Sequence, residues 1–357
     1  MRKVSTMNDR SNGLPPAGRE GFSAPQYLWF SLAALLTLIL CVSAGSVAVP
    51  IRLVIGAVSS ALLGTEPMPG AAQSIIMTVR LPRVLSAALV GASLSLCGAA
   101  MQGLLRNPLA EGSTMGVASG ASLGAVLSIA FGITVPGLSR MGPVAMAMLF
   151  AFLSLAMVLT LSWRLDASFS TNTILLIGVI FSMFVSAFIS LAITFSGPRL
   201  RSITFWTMGS LSDAGYEDVL ILLCALIPCA AVLLLSAREL NAFAVGEDNA
   251  RSIGVNVRAI TLRVMIAVSV LIGVCVSLGG SIGFVGLVTP HMARLIVGPN
   301  HKKLLPAVLF SGAIFLMLTD LAARTLLNPA ELPVGVVTSL IGAVVFLILF
   351  SRSRRAR

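Results

Sequence analysis

The sequence predicts an all-α, polytopic membrane protein with ten transmembrane helices, and three observations predict it. Hydrophobic residues fill 57% of 357 positions and charged residues only 10%, where a soluble domain carries about 25% charged. The apolar residues are spread along the whole chain, which reads as one membrane domain. Charges fall in clusters, and the uncharged intervals between them are each long enough for a helix of roughly 20 residues to cross a bilayer.

Residues 1–27 are polar and carry Arg2, Lys3, Arg10 and Arg19, which predicts a cytoplasmic N-terminal tail. The apolar run that follows exceeds the core of about 7–15 residues that a cleaved secretory signal needs, so 28–49 reads as an uncleaved first span. Segment 51–64 (IRLVIGAVSSALLG) carries Arg52 and is too short to cross, which predicts an interfacial or outer-surface helix and not an eleventh span. The uncharged intervals Arg83–Arg106, Glu111–Arg140, Arg140–Arg164 and Asp166–Arg199 hold spans at 81–104, 115–134, 141–163 and 173–195. Asp218 to Arg238 holds one at 218–236. The interval from Arg263 to Arg294 divides at Gly279-Gly280 into spans at 261–279 and 283–297. Spans at 304–322 and 334–350 complete the ten, and 352–357 form a basic C-terminal tail.

The formal charge of +11 would suggest nucleic acid in a soluble chain. In a membrane protein basic residues collect on cytoplasmic loops and set orientation, so lipid and not nucleic acid is the expected surrounding. An even number of spans puts both termini on one side. If that side is the cytoplasm, 17 of the 24 Lys and Arg lie there and seven (Arg52, Arg80, Arg83, Arg140, Arg199, Arg201 and Arg324) lie outside. The reading is a multi-pass cell-membrane protein with both termini cytoplasmic.

A phosphate-binding GxxxxGK[ST] loop needs a lysine in that frame; the only lysines are Lys3, Lys302 and Lys303, so the chain has no ATP site of its own. Two histidines, His291 and His301, and five cysteines without CxxC spacing indicate neither a metal centre nor a disulfide framework. An intramembrane protease would carry HExxH or paired aspartates in spans, and neither occurs. No catalytic group and no cofactor is expected.

Two features remain. The stretch 238–260 (RELNAFAVGEDNARSIGVNVRAI) is the longest polar insertion between spans; it reads as two short helices broken at Gly254, either a solvated loop or a docking surface for a soluble partner. Arg80 and Arg83 flank Pro82 before the second span, and Arg324 ends the ninth. An arginine at the bilayer centre costs roughly 3 kcal/mol, so these three are either interface anchors or a receptor for an acidic partner. Asp320, inside a span, has Arg324 one turn away as its nearest partner.

RLPRVLSAALVGASLSLCGAAMQGLLRNPLAEGSTMGVASGASLGA (80–125), GFVGLVTPHMARLIVGPNHKKLLP (283–306) and LTDLAARTLLNPAELPVGVVTSLIGAVVFLILF (318–350) together resemble the FecCD permeases. These are type II ABC importer subunits for iron–siderophore complexes, haem and cobalamin. The resemblance implies a ten-span permease domain over 28–351, a second copy of the chain as partner, two copies of a separate ATPase and a substrate-binding protein. It implies binding-protein docking at Arg80, Arg83 and Arg324, and ATPase coupling at Glu247, Asp248, Ala250, Arg251 and Gly254. It also implies a cytoplasmic gate at Asn107, Leu109, Thr171 and Asn172. Where relatives often read NPLAEP, this chain has Gly112, which implies a looser turn. An ion-driven secondary transporter would instead show broken half-helices and intramembrane acids in both repeats, and this chain offers mainly Asp320. A non-transporting membrane scaffold is the third class.

Overall fold

The structure is a computed structural model that describes residues 21–45, 49–63, 71–133, 141–166 and 170–355. Most of the expected N-terminal tail therefore lies outside the described residues. Every regular element among them is helical. In chain order these are α1 (Ala24–Ser43), α2 (Ile51–Leu63), α3 (Ala71–Ser74), α4 (Leu81–Leu104), α5 (Val117–Phe131), α6 (Met141–Leu165), α7 (Thr171–Phe195) and α8 (Leu200–Thr207). There follow α9 (Tyr216–Leu235), α10 (Ala237–Val245), α11 (Glu247–Ser252), α12 (Val257–Gly279), α13 (Val285–Val297), α14 (His301–Thr325) and α15 (Val334–Arg355).

Each predicted span falls on one helix: α1, α4, α5, α6, α7, α9, α12, α13, α14 and α15. Seven of these are long and apolar enough to cross a membrane, while α5, α13 and the apolar part of α15 are shorter. Boundaries differ from expectation by a few residues at several helices, α1 ending at Ser43 where the span was expected to reach 49, and two of the differences are instructive. The second helix begins at Ala71, ten residues early, because α3 continues through a π-helical turn (Ile75–Arg80) into α4, with the Leu81 N–H donating to the Ile76 carbonyl. Proline lacks an N–H and clashes with the carbonyl four residues back, and the wider turn absorbs that defect just before Pro82. At the other end, α15 runs through the basic residues to Arg355, since nothing in that stretch stops a helix.

The centre of the bundle is α4, flanked by α9, α12, α13 and α14. Helices α4, α12 and α14 are mostly buried, whereas α1, α6, α7 and α9 expose most of their apolar surface, including Phe152, Phe184 and Phe195. Lipid tails are as apolar as leucine, so helices in a membrane associate through close packing and interhelical hydrogen bonds. Both occur along α4. Gly91 meets the Gly312 backbone of α14, and Gly98 meets the Gly286 backbone of α13, so closely that a Cβ at either would collide with a carbonyl. Ser95 and Thr289 hydroxyls hydrogen-bond between α4 and α13.

Candidate functional sites at the two ends of the bundle

The two features singled out in the sequence lie at opposite ends. Where α4 ends and α14 begins, α10 packs against both. Leu240 and Phe243 are fully buried, and the Asn241 side chain accepts from the His301 N–H and pairs with its Nδ1, each at 2.8 Å. His301 is the first residue of α14, behind the Asn300 N-cap. Beyond α10 the chain breaks at Gly246 (φ 130), not at Gly254 as expected; Gly254 (φ 88) instead lies in the turn leading into α12. Both backbones favour glycine, so composition alone did not say which divides the helices.

In α11, Asp248 and Arg251 are exposed, as is Gly254 after it, and Glu247 is half-buried. Ala250 is fully buried among core residues; it holds α11 to the bundle and does not face a partner in this conformation. Sequence reading missed Val245 and Ile253, each 71% exposed, which frame α11 with apolar surface. The available signal was their position inside an otherwise polar insertion.

The four residues expected to form a gate lie at the same end. The Asn107 side chain accepts from the Leu109 N–H at 2.9 Å, folding the NPLAE turn on itself, and Asn107, Leu109 and Asn172 are exposed. Thr171 opens α7 behind the Ser170 N-cap and is buried. Its hydroxyl donates to Glu247 Oε1 at 2.9 Å. One hydrogen bond therefore joins the gate set to the coupling set, which the sequence had presented as separate. Gly112 abuts the Ile272 side chain so closely that a Cβ there would collide with it, so close approach to α12 is a constraint at this turn alongside conformational freedom.

At the opposite end, Arg80, Arg83 and Arg324 are each only 5% exposed and face inward. Arg83 Nε donates to Asp320 Oδ1 at 3.0 Å, and Arg324 Nε to Asp320 Oδ2 at 2.9 Å, with Asp320 fully buried. Arg83 Nη1 reaches Glu331 Oε2 at 2.8 Å, Arg324 Nη2 donates to the Cys41 carbonyl, and Arg80 Nη1 to those of Val42 and Ser43. The expected Asp320–Arg324 pair is present, but it belongs to a network tying α1, α4, α14 and the α14–α15 loop. In this structure the three side chains turn inward, where an interface anchor would reach outward. Glu331 was not singled out in the sequence, because its partner lies 248 positions away. A cavity of about 360 Å³ beside α8, bordered by Phe205, Trp206 and Asp213, includes none of the predicted residues. No cluster of three or more metal-ligating side chains occurs among the described residues.

Comparison with known proteins adds three kinds of likeness. The model of the FecCD transport family matches residues 33–352. The uncharacterized ABC transporter permease protein YvrB of Bacillus subtilis is 42% identical over 93% of this chain and 94% of its own length. The cobalamin import system permease protein BtuC of Halobacterium salinarum is 40% identical over 81% of this chain and 76% of its own. The molybdate import system permease protein MolB of Haemophilus influenzae is 38% identical over 79% and 82%. A solved inward-facing conformation of a metal-chelate type ABC transporter superposes with a TM-score of 0.79 at 34% identity, covering 92% of this chain and 99% of that one.

Proposed function

The chain belongs to the FecCD transport family and is a permease of an ABC importer, and on that premise we propose that it passes an iron complex into the cytoplasm. Iron(III)–siderophore is the first choice of cargo, with haem and cobalamin as alternatives. The metal-chelate type of the solved neighbour favours a chelate, while relatives named for cobalamin and molybdate mark how far cargo varies on this scaffold. Two copies of the chain enclose the pathway, two copies of a separate ATPase dock at the α10–α11 end, and a substrate-binding protein docks at the arginine end. The α10–α11 end is cytoplasmic, as are both termini.

The observation that carries this reading is the combination of a chain without a phosphate-binding loop and a hinged helix pair whose exposed rim is apolar at Val245 and Ile253. A soluble partner that supplies ATP hydrolysis fits that surface. Purified with its ATPase and binding protein in nanodiscs, the permease should show ATP hydrolysis stimulated by the loaded binding protein. Uptake surviving removal of the ATPase would overturn the reading. Ferric siderophore, haem, cobalamin and molybdate, offered separately to the binding protein, decide the cargo.

The Thr171–Glu247 hydrogen bond gives the coupling residues a specific task. Since α10 is pinned to α14 and α4 and the chain hinges at Gly246, α11 is the part that a docked ATPase would swing, against the seating of Ala250 in the core. Glu247 then pulls on the first residue of α7, the helix whose start belongs to the gate, and such a link joins two discrete arrangements. A hydrogen bond to a charged group is worth roughly 1.5–3 kcal/mol, so Thr171→Val should cut substrate transported per ATP about tenfold while ATP hydrolysis continues. Thr171→Ser keeps the hydroxyl and should transport as the wild type does; equal coupling in the valine variant would remove Thr171 from the pathway of force.

A further inference from the structure

We infer that Glu331 is a resident carboxylate that occupies Arg83 until an acidic side chain of the binding protein replaces it, so that docking proceeds by carboxylate exchange. This rests on the reading of Arg80, Arg83 and Arg324 as the docking residues. It answers the question their burial raises, which is how inward-facing guanidiniums can receive an outside partner.

The two acids that hold Arg83 differ in kind. Asp320 is inaccessible and gripped from two sides, by Arg83 and by Arg324. Glu331 has a 44% exposed side chain and sits on a loop whose residues 325–331 are all exposed. That loop is joined back to α14 by the Leu332 N–H on the Ala323 carbonyl at 3.0 Å. The guanidinium of Arg83 therefore has one permanent partner beneath it and one at the surface that can leave.

Charge balance favours exchange over simple addition. Three arginines face two carboxylates in this network, and departure of Glu331 leaves a larger net positive charge on groups already withdrawn from water. A buried charge left without its partner is costly, so Glu331 leaves only as another carboxylate arrives, and at no stage is Arg83 unpaired. Until then, Glu331 also presents a negative charge to any acidic approach, and like charges at a docking face oppose binding. The partner this geometry fits is a glutamate or aspartate projecting from a protein surface with open space around it, able to reach the position of Glu331 Oε2.

The test is an affinity measurement between the nanodisc-embedded permease complex and the binding protein that stimulates its ATP hydrolysis. Glu331→Gln keeps shape and removes charge, and an exposed pair of this kind is worth up to about 1 kcal/mol. Docking should therefore tighten about three- to fivefold. Arg83→Gln should weaken docking more than tenfold, and Glu331→Gln added to it should tighten docking less than it does in the wild type, because only the like-charge repulsion is then relieved. If Arg83→Gln weakens docking but Glu331→Gln binds no tighter than wild type, carboxylate exchange is wrong and arginine docking stands. If Arg83→Gln docks unchanged, the docking assignment itself is wrong. Glu331→Ser, tested beside Glu331→Gln, guards against a local folding defect: both should tighten docking, and only one doing so would overturn the inference.

Discussion

Asp320→Asn is expected to strip the protein of most of its stability at the arginine end, and it is the single polar substitution with the largest effect. Asp320 is fully buried and is the shared acceptor of Arg83 and Arg324. Asparagine keeps one accepting oxygen but turns an N–H₂ toward the other guanidinium, and it removes the negative charge that lets both arginines stay out of water. Breaking a buried ion pair from one side costs about 3–5 kcal/mol because the partner remains charged and unpaired. The fraction of monodisperse protein after heating in detergent should fall sharply against wild type. The double variant Asp320→Asn with Arg324→Gln removes a charge of each sign and should recover part of the loss, the non-additivity that a shared network shows. Identical melting of Asp320→Asn and wild type would mean that these three side chains are not coupled.

The same network changes how the arginines proposed for docking should be probed. Charge reversal of Arg80, Arg83 and Arg324 together would put two carboxylates against the buried Asp320 and a third against the Val42 and Ser43 carbonyls. Loss of docking would then report unfolding. Neutral, shape-preserving changes at Arg83 and at the exposed Glu331 separate recognition from stability.

How much of this was legible in the sequence follows from the range of each signal. Spans were legible because charges punctuate them locally, and every predicted span coincides with a helix. The split at Gly279-Gly280 lies inside an uncharged interval and was legible from the glycine pair instead, with α12 ending at Gly279 and α13 starting at Val285. The π-helical turn before Pro82 was not, because proline announces a defect without saying whether the helix stops or widens. Asp320–Arg324 was legible at a spacing of four, whereas Arg83–Asp320 spans 237 positions, and no local pattern encodes it. The arginines were legible from their place at the ends of two spans, and the resemblance gave them a docking role, but their burial was not legible, since it depends on α1 and α14 arriving beside them. Thr171 and Glu247 were both named in the sequence reading, yet the bond between them joins residues 76 apart.

The largest steric effect is expected at Gly98. Helix α13 contains Pro290, which has no N–H to give the carbonyl four residues back; that carbonyl is Gly286 O. Gln102 of α4 supplies the missing donor, its Nε2 lying 3.3 Å from Gly286 O, while its Oε1 accepts from Arg294 at 2.6 Å. For Gln102 to reach, α4 must lie against the α13 backbone, and Gly98, one turn earlier, is what lets it. A Cβ at Gly98 would lie 2.6 Å from the Gly286 Cα and closer still to its carbonyl oxygen, and backbone cannot rotate aside as a flexible side chain can. Helix propensity alone says that Gly→Ala gains about 1 kcal/mol. Here the sign reverses: Gly98→Ala should destabilise at the upper end of the about 1–3 kcal/mol typical of overpacking, and Gly98→Val by more. Gly273→Ala is the internal comparison, because its Cβ meets only the Ala151 Cβ at 3.0 Å, and it should melt nearer to wild type. Gln102→Leu, which leaves the Pro290-orphaned carbonyl unpaired, should cost about 1–3 kcal/mol without any clash. If Gly98→Ala melts at or above wild type, α4 and α13 do not cross at backbone contact, and the Gln102 bond to Gly286 must be reassigned with it.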